Sequence, residues 1–249
     1  MSEASFGAAP DFRIGSVLGR AWSTFVSNVF SLVIATLLVG AAALPLAILE
    51  QTPDEDMTFT QAWSSLAALA LYFVVSLFVW GTIFGGTVDH LATGRVAIRD
   101  AASRSIMRVL PFALLSIVFS IVGSAAFLLL VIPGVIFACV YPLAPVVCIV
   151  EGCGVFRSFS RSAELTRGRR WHILGLHAVN LVFLSAVGIV LSLLVTALAA
   201  FGGPIISLIV TFLAFTLMAW FPLITGAVLY YDLARPPAAP AAGVHRPVL

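Results

Sequence analysis

The side chains best suited to chemistry in this sequence lie at the edges of long uncharged stretches. They are two histidines and three carboxylates, namely Asp89, His90, Glu151, Glu164 and His172. Carboxylate and imidazole groups bind several divalent ions, but the spacing here matches no HExxH-type ligand motif. No serine or cysteine has a base and an orienting acid at a recognisable spacing for nucleophilic catalysis. We therefore expect no catalytic residue, no metal site and no cofactor.

Within the uncharged stretches, the ionisable side chain of note is His177, which precedes Asn180 by about one helical turn. An ionisable group inside a membrane is by default a sign of transport or catalysis, so this pair could line a small polar site. We favour an interhelical hydrogen bond or a histidine at interface level, because polar side chains often join helices in this way. Coupled transport of protons or sodium would have few other groups to use.

Two prolines, Pro142 and Pro145, lie close together in another uncharged stretch. Each removes a backbone donor and clashes with a preceding carbonyl, which predicts a break in the helix near 141–145. Unwound backbone at membrane depth is tolerated only inside protein or beside a water-filled cavity. Broken helices mark binding sites in many transporters. We favour a structural kink and keep a transport site as the alternative.

The composition determines which elements can position these side chains. Residues of the set AVILMFWYC make up 61% of the 249 residues, and charged residues make up 10%. Average soluble proteins have about 45–50% apolar and about 25% charged residues. So few charges cannot cover a water-exposed surface. This excludes a soluble globular domain, a disordered chain and a nucleic-acid-binding domain, and predicts an integral membrane protein.

Charge-free runs predict six membrane spans, since a spanning helix needs about 20 apolar residues. The predicted spans are 25–47, 64–84, 110–131, 134–150, 173–199 and 205–230. Pro133-Gly134 supplies a turn between the third and fourth spans, and Gly202-Gly203-Pro204 separates the fifth from the sixth. We expect a single membrane domain over 12–234. A short cytoplasmic segment, 1–11, precedes it, and a flexible Pro/Ala-rich cytoplasmic tail, 235–249, follows it.

The basic residues predict the orientation. All 13 are arginine, and all lie before the first span, between spans 2 and 3, between spans 4 and 5, or in the tail. The loop 50–61 carries four acids and no base. The positive-inside rule then places both termini in the cytoplasm. Because lysine is absent while alanine and glycine are abundant, we expect a GC-rich bacterial source and hence the bacterial inner membrane.

Three segments on the arginine-rich side have helical periodicity, with apolar and charged residues on opposite faces. This is typical of helices in the membrane interface. In each segment an aliphatic residue lies six positions before an arginine: Ile14 and Arg20, Ile98 and Arg104, Val155 and Arg161. We expect an all-α membrane protein of three hairpins, each preceded by an interfacial amphipathic helix, and interpret the pattern as a pseudo-threefold repeat. The alternative is that any polytopic protein places such arginine-bearing turns before its spans.

The stretch 131–175 carries a distinctive set of residues, together with one run near the end of the last span. They are Pro133-Gly134, Pro145, Val147, Glu151, Arg161-Ser162, Glu164-Leu165, Gly168, Trp171 and Tyr230-Tyr231-Asp232-Leu233. In these residues the chain resembles the membrane domain of some bacterial glycerophosphodiester phosphodiesterases and the related YciC-like six-span membrane proteins. One departure is Ala234, which stands where an arginine would be usual.

The resemblance implies a six-span membrane domain and no enzymatic activity, because the chemistry of those phosphodiesterases belongs to a separate barrel domain that we do not expect in this chain. Our leading hypothesis is a non-enzymatic, lipid-associated scaffold or regulator. Its partners would be anionic membrane lipids and not nucleic acid, and a protein partner or homo-oligomer stays open. The candidate headgroup or ion-pair contacts are Arg20, Arg104, Arg161, Glu151 and Glu164. The alternative is a transporter or flippase-like protein for an amphiphilic, phosphate-bearing substrate.

Overall fold

In a computed structural model, residues 14–49, 59–94 and 98–234 are described, and all of their regular secondary structure is α-helical. The helices of these ranges are α1 Ile14–Ser27, α2 Val29–Leu49, α3 Phe59–Thr93, α4 Ile98–Met107, α5 Val109–Leu129, α6 Val131–Val140, α7 Ala144–Glu151, α8 Val155–Leu165 and α9 Arg170–Ala234. The predicted segment 1–11, most of the loop 50–61 and the tail 235–249 lie outside the described residues.

The prediction of six segments long and apolar enough to cross a membrane is confirmed. They are Val29–Ala47, Phe59–Thr93, Val109–Leu129, Val131–Glu151, Arg170–Ala197 and Ile209–Ala234. This makes the chain a multi-pass membrane protein by length and composition. The second segment extends well beyond the predicted 64–84, since its helix continues past Asp89 to Thr93. A charge near a helix end can reach the polar boundary of the membrane, so it does not stop the helix there.

The turn between the third and fourth spans lies earlier than predicted. Helix α5 ends at Leu129, the extended residue Leu130 forms the corner, and α6 begins at Val131. The predicted corner, Pro133-Gly134, is instead inside the first turn of α6. Proline is well tolerated there because the first backbone N–H groups of a helix have no intrahelical partner in any case.

Helix α9 holds two of the six segments, and these lie side by side. The rings of Phe183 and Phe221 are 5.3 Å apart, although a straight helix would separate residues so distant in sequence by more than about 50 Å. The second segment also packs against α2, where the Trp220 indole N–H donates a hydrogen bond of 2.9 Å to the buried Thr36 hydroxyl. The first and last segments of the chain are therefore neighbours.

The most enclosed of the six segments is Val131–Glu151, which consists of α6 and α7. Its α7 half carries a run of apolar side chains that are at most 1% exposed, including Val146, Val147 and Ile149. Around it pack α3, α5, α8 and α9. By contrast, the first segment of α9, Arg170–Ala197, has the smallest buried share of the six. The core thus lies toward the end of the bundle that carries α1, α4 and α8.

Candidate functional site

Two of the three arginines singled out by the sequence pair with an acid at the end of a span-length helix. The guanidinium of Arg20 in α1 binds both carboxylate oxygens of Asp232 in α9, with Nη1–Oδ1 at 2.6 Å. Arg104 in α4 binds the carboxylate of Asp89 near the end of α3. All four side chains are partly buried, with exposures from 18% to 40%. Two-point contact of an arginine with a carboxylate fixes geometry as well as charge.

The third arginine, Arg161 in α8, lies between two acids. Its Nε is 3.3 Å from Glu151, the last residue of α7, and its Nη1 is 3.3 Å from Glu164. The Tyr230 hydroxyl of α9 donates a 3.0 Å hydrogen bond to the same Glu151 carboxylate. Partial burial lowers the pKa of Arg161, but its hydrogen bonds and the charges of the two acids outweigh this and raise the pKa above its ordinary value. Arg161 is therefore charged at every physiological pH.

The helices α1, α4 and α8 also share a burial pattern. In each, the residues three before and one after the arginine are at most 1% exposed: Val17 and Ala21, Ala101 and Ser105, Ser158 and Ser162. Residues four apart share one face of a helix, so each helix presents a small buried pair to the bundle and an arginine beside it. All three arginines therefore occupy the same register against the core.

Small residues let α4 approach α3 closely. A side chain at Gly81 would meet the Ser105 hydroxyl at 2.9 Å, and one at Gly85 would meet the Ala101 Cβ at 3.5 Å. These two glycines form a GxxxG pattern, which suits close contact between membrane helices. This close contact brings Arg104 of α4 within reach of Asp89, which lies on α3 as the two glycines do.

The end of α7 is held by a further arginine from the junction of α4 and α5. The Nη1 of Arg108 donates to the backbone carbonyls of Ile149 and Val150, the latter at 3.0 Å. Cations are favoured at helix C-termini, where carbonyls lack partners. The following residue, Gly152, has a left-handed φ of 69°, and a Cβ there would lie 2.8 Å from the Arg108 guanidinium. Sequence reasoning did not assign Arg108 this role.

The predicted break in the fourth span lies inside protein. Helix α6 ends at Val140 and α7 begins at Ala144, so Pro142 is in the interruption and Pro145 is in the first turn of α7. The buried Ser162 hydroxyl of α8 donates to the Val140 carbonyl at 3.0 Å and accepts the Leu143 N–H at 3.2 Å.

The hydroxyl of Thr166, the residue after α8, also donates to the Val140 carbonyl at 3.1 Å. Ser162 and Thr166 therefore bond the backbone groups of Val140 and Leu143 that the interruption leaves without a helical partner.

The intramembrane pair His177 and Asn180 is not joined by a hydrogen bond. His177 Nε2 and Asn180 Oδ1 are both buried and without a partner among the described residues. His177 makes an interhelical hydrogen bond to the backbone of Ala138 in α6. No group of three potential metal ligands occurs in the part of the chain that the structure describes. Of Asp89, His90, Glu151, Glu164 and His172, only Glu151 and Glu164 are brought to a common partner there, which is Arg161.

Aromatic rings fill two of three comparable spaces, each between two span-length helical segments and one of the short helices α1, α4 and α8. The α8 wedge, between α5, α6 and α8, contains Phe119, Phe137, Tyr141 and Phe159, with ring centroids 4.9–6.4 Å apart.

The second filled space is the α1 wedge, between the two segments of α9 and α1. It contains Trp22, Phe25, Phe183 and Phe221, with centroids 5.3–6.2 Å apart. These clusters attach α8 and α1 to the spans.

The third space, between α2, α3 and α4, is a cavity of about 280 Å³, here called the open wedge. Its lining has one aromatic residue, Phe78, and α4 contributes Ile98 and Ala102. Ala102 lies two residues before Arg104, as Phe159 lies two residues before Arg161. The same position therefore carries a ring in α8 and a methyl group in α4.

Several arginines have no carboxylate partner within the described ranges. They are Arg99, Arg157, Arg167, Arg169 and Arg170, and all but Arg169 are exposed. Four of the five lie on α8, in the connection that follows it, or at the start of α9. Beside them are two aromatic side chains, Phe156 at 86% and Trp171 at 83% exposure. Exposed rings next to arginines are typical of the membrane–water interface.

No protein-family model, curated protein or solved structure matches this chain. The resemblance noted in the sequence therefore rests on its residues alone. Of the predicted contacts, the structure brings Arg161, Glu151 and Glu164 together, and it gives Arg20 and Arg104 partners that sequence reasoning had not named. The missed signal was an acid at the end of every second apolar run: Asp89, Glu151 and Asp232.

Proposed function

We propose that this chain is a non-enzymatic, lipid-associated scaffold or regulator of the bacterial inner membrane, with both termini in the cytoplasm. The observation that carries the proposal is the surface formed by Arg157, Arg167, Arg169, Arg170 and Trp171, which has charge but no carboxylate partner in the described ranges. Arginine binds phosphate in a two-point geometry, and the surface lies where anionic headgroups would be. We call it the α8–α9 arginine surface.

The proposal moves lipid binding away from the three paired arginines. Arg20, Arg104 and Arg161 already have carboxylate partners, so headgroups would have to compete with an intramolecular acid. Their role is then to hold the interfacial helices against the spans. The headgroups bind the unpaired arginines of α8 and α9 instead.

We further propose three hairpins in a pseudo-threefold arrangement, each hairpin preceded by an interfacial helix. Its support is the order of the ion pairs. We call α1–α3 the first unit, α4–α7 the second and α8–α9 the third. Arg104 of the second unit binds Asp89 of the first, and Arg161 of the third binds Glu151 of the second. Arg20 of the first unit binds Asp232 of the third. Each arginine thus pairs with the preceding unit, and the last unit pairs back with the first.

The transporter alternative has less support. Its main sequence feature was the break at Pro142, and the backbone groups exposed there are bonded to Ser162 and Thr166. Neither Pro142 nor His177 lines the open wedge. Membership of the phosphodiesterase-associated or YciC-like membrane proteins stays a prediction from the residues.

The lipid proposal is tested by replacing all four arginines of the α8–α9 surface with glutamine. Each basic residue near an anionic leaflet contributes about 1 kcal/mol of attraction, screened by salt. We expect the variant to insert normally and to retain less phosphatidylglycerol relative to phosphatidylethanolamine, as measured by native mass spectrometry in gentle detergent. The matched control replaces Arg20, Arg104 and Arg161 with glutamine, and should lower thermal stability while keeping the lipid ratio. Unchanged lipid ratio in the first variant would overturn the proposal.

The orientation is tested separately with single cysteines at Thr52 and Ser103 in a cysteine-free background. We expect an impermeant thiol reagent to label Thr52→Cys from outside the cell and Ser103→Cys only after the membrane is opened. Labelling of both from the same side would contradict the proposed topology.

A further inference from the structure

The open wedge is as deep as one leaflet of a membrane. Its wall on α2 runs from Asn28 to Leu38, which corresponds to about 15 Å along a helix. The hydrocarbon core of a bilayer is about 30 Å thick, so the cavity covers roughly half of it. Its volume of about 280 Å³ is close to the lower end of ligand pockets, about 300–1,000 Å³. For its length, a cavity of this volume is narrow.

The lining of the open wedge is polar at one end. Thr24, Asn28 and Ser31 line it from the α1–α2 junction, and Thr87 lines it from the end of α3 that carries Asp89. The hydroxyls of Ser31 and Thr87 make no hydrogen bond to any described residue. Because both residues line the cavity, these two hydroxyls are free to bind a group that enters it. The deeper walls are apolar and include Leu32, Ala35 and Val79.

The open wedge is accessible from the side of the bundle. Three of its lining residues, Ile34, Leu38 and Ile98, are 46–51% exposed. The first two lie on successive turns of α2 and the third lies at the start of α4. In a membrane, the molecules that reach such an opening are lipids, whose chains are apolar and whose ester groups accept hydrogen bonds. A chain could enter sideways without leaving its leaflet.

The contrast with the other two wedges indicates that no side chain of the described residues fills this space. Four rings occupy each of the α8 and α1 wedges, whereas α4 presents the small side chain of Ala102 at the position of Phe159. Protein interiors are normally close-packed, with few voids larger than a water molecule. An empty apolar space of this size in a membrane therefore calls for an occupant.

We propose that the open wedge binds one acyl chain of a membrane phospholipid, with its ester region at the hydroxyls of Ser31 and Thr87. This deepens the proposed lipid association. It depends on the chain and the ester, not on headgroup charge, so it can hold or fail independently of the α8–α9 arginine surface.

The experiment uses the full chain in phosphatidylcholine vesicles that contain a trace of phosphatidylcholine with a diazirine near the end of one acyl chain. After irradiation, labelled peptides are located by mass spectrometry. We expect labelling to concentrate on residues 28–38 and 78–87. Because the vesicles are zwitterionic, loss of the arginine surface, tested above, should leave this labelling unchanged.

Two variants and one matched control complete the test. Ala102→Phe places in α4 the ring that Phe159 provides in α8, and should reduce labelling of both segments several-fold. Thr87→Val removes an unpaired hydroxyl at nearly constant volume and should reduce labelling without lowering thermal stability. Met107→Phe adds a ring on the same helix at a position 76% exposed and outside the cavity, and should label like the wild type.

Several outcomes would overturn the proposal. These are labelling spread evenly over the exposed faces of all the spans, labelling of 28–38 and 78–87 that survives Ala102→Phe, or labelled residues that belong to a second copy of the chain. If Ala102→Phe does not fold, the distribution in the wild type and the effect of Thr87→Val still decide the question.

Discussion

The α8 wedge and the open wedge are built alike and filled differently. Both lie between two spans and the interfacial helix that follows them, and both lie beside an arginine–carboxylate pair. The α8 wedge has Phe159 facing Phe119 and Phe137, while α4 has Ala102 beside a cavity. The difference separates two tasks. In both wedges the arginine and the small buried pair attach the helix, whereas the residue two before the arginine is phenylalanine at the filled wedge and alanine at the open one.

The comparison also explains why a broken helix need not be a site. The interruption at Pro142 is the most irregular backbone among the described spans, yet the hydroxyls of Ser162 and Thr166 complete its hydrogen bonds. The regular helices α2 and α3, with no interruption next to the cavity, leave the open space. In this chain the empty volume arises from side-chain size and not from backbone geometry.

The largest effect should come from removing a ring of the filled wedge. Phe137→Ala deletes a buried ring that touches three others, and such deletions cost about 3–5 kcal/mol in the free energy of unfolding. Phe78→Ala should cost much less, because Phe78 already borders empty space. Thermal unfolding of both variants in one detergent checks this. Equal losses would show that the two wedges are equally packed and would remove the contrast.

A smaller effect should come from the hydroxyl that completes the broken helix. Ser162→Ala leaves the buried Leu143 N–H without its partner, which should cost about 1–3 kcal/mol. The matched control is Ser105→Ala, because Ser105 holds the equivalent position in α4 but bonds only to the Ala101 carbonyl of its own helix. That change should cost less than about 0.5 kcal/mol. If the two losses are alike, the Ser162 hydroxyl does not stabilise the interruption.

The smallest effect should be the coupling within a single ion pair. A double-mutant cycle with Arg104→Gln and Asp89→Asn should give a coupling energy below about 1 kcal/mol, since partly exposed pairs are screened by water. The same cycle with Arg161→Gln and Glu151→Gln should give a coupling no larger than this, because the Arg161 guanidinium is shared with Glu164. A cycle is required because neighbouring changes do not add. A larger coupling for the Arg161 pair would show that sharing with Glu164 does not weaken its contact with Glu151.

The sequence was sufficient to predict the helices, but not the contacts between them or the cavity that they enclose. Spans follow from runs of about 20 apolar residues, and arginine register follows from spacing along one helix. The partners of Arg20 and Arg104 could not be found in this way, since Asp232 is 212 residues from Arg20 and no local rule connects them. The corner at Leu130 was misplaced because proline is compatible both with a turn and with the first turn of a helix.

The open wedge was beyond sequence reasoning for another reason. Ala102 is an ordinary small residue in an amphipathic helix, and only its comparison in space with Phe159 gives it meaning. Residue size at one position is not informative until the neighbouring helices are known. Cavities result from the mismatch between facing surfaces, and hydrophobic patterns do not record that mismatch.

The Arg20–Asp232 contact has one more consequence, for the order of the chain itself. The contact joins α1 to the end of α9. The first and last helices are therefore held together by an ion pair in the same way as the other neighbouring helices. A circularly permuted chain that starts at Ile98, runs to Ala234, continues through the present terminal segments into Ile14 and ends at Gly94 would keep all three ion pairs. Tolerance of such rearrangements is common where the termini lie close together. We therefore expect the fold to form whichever of these two residues, Ile14 or Ile98, comes first in the chain.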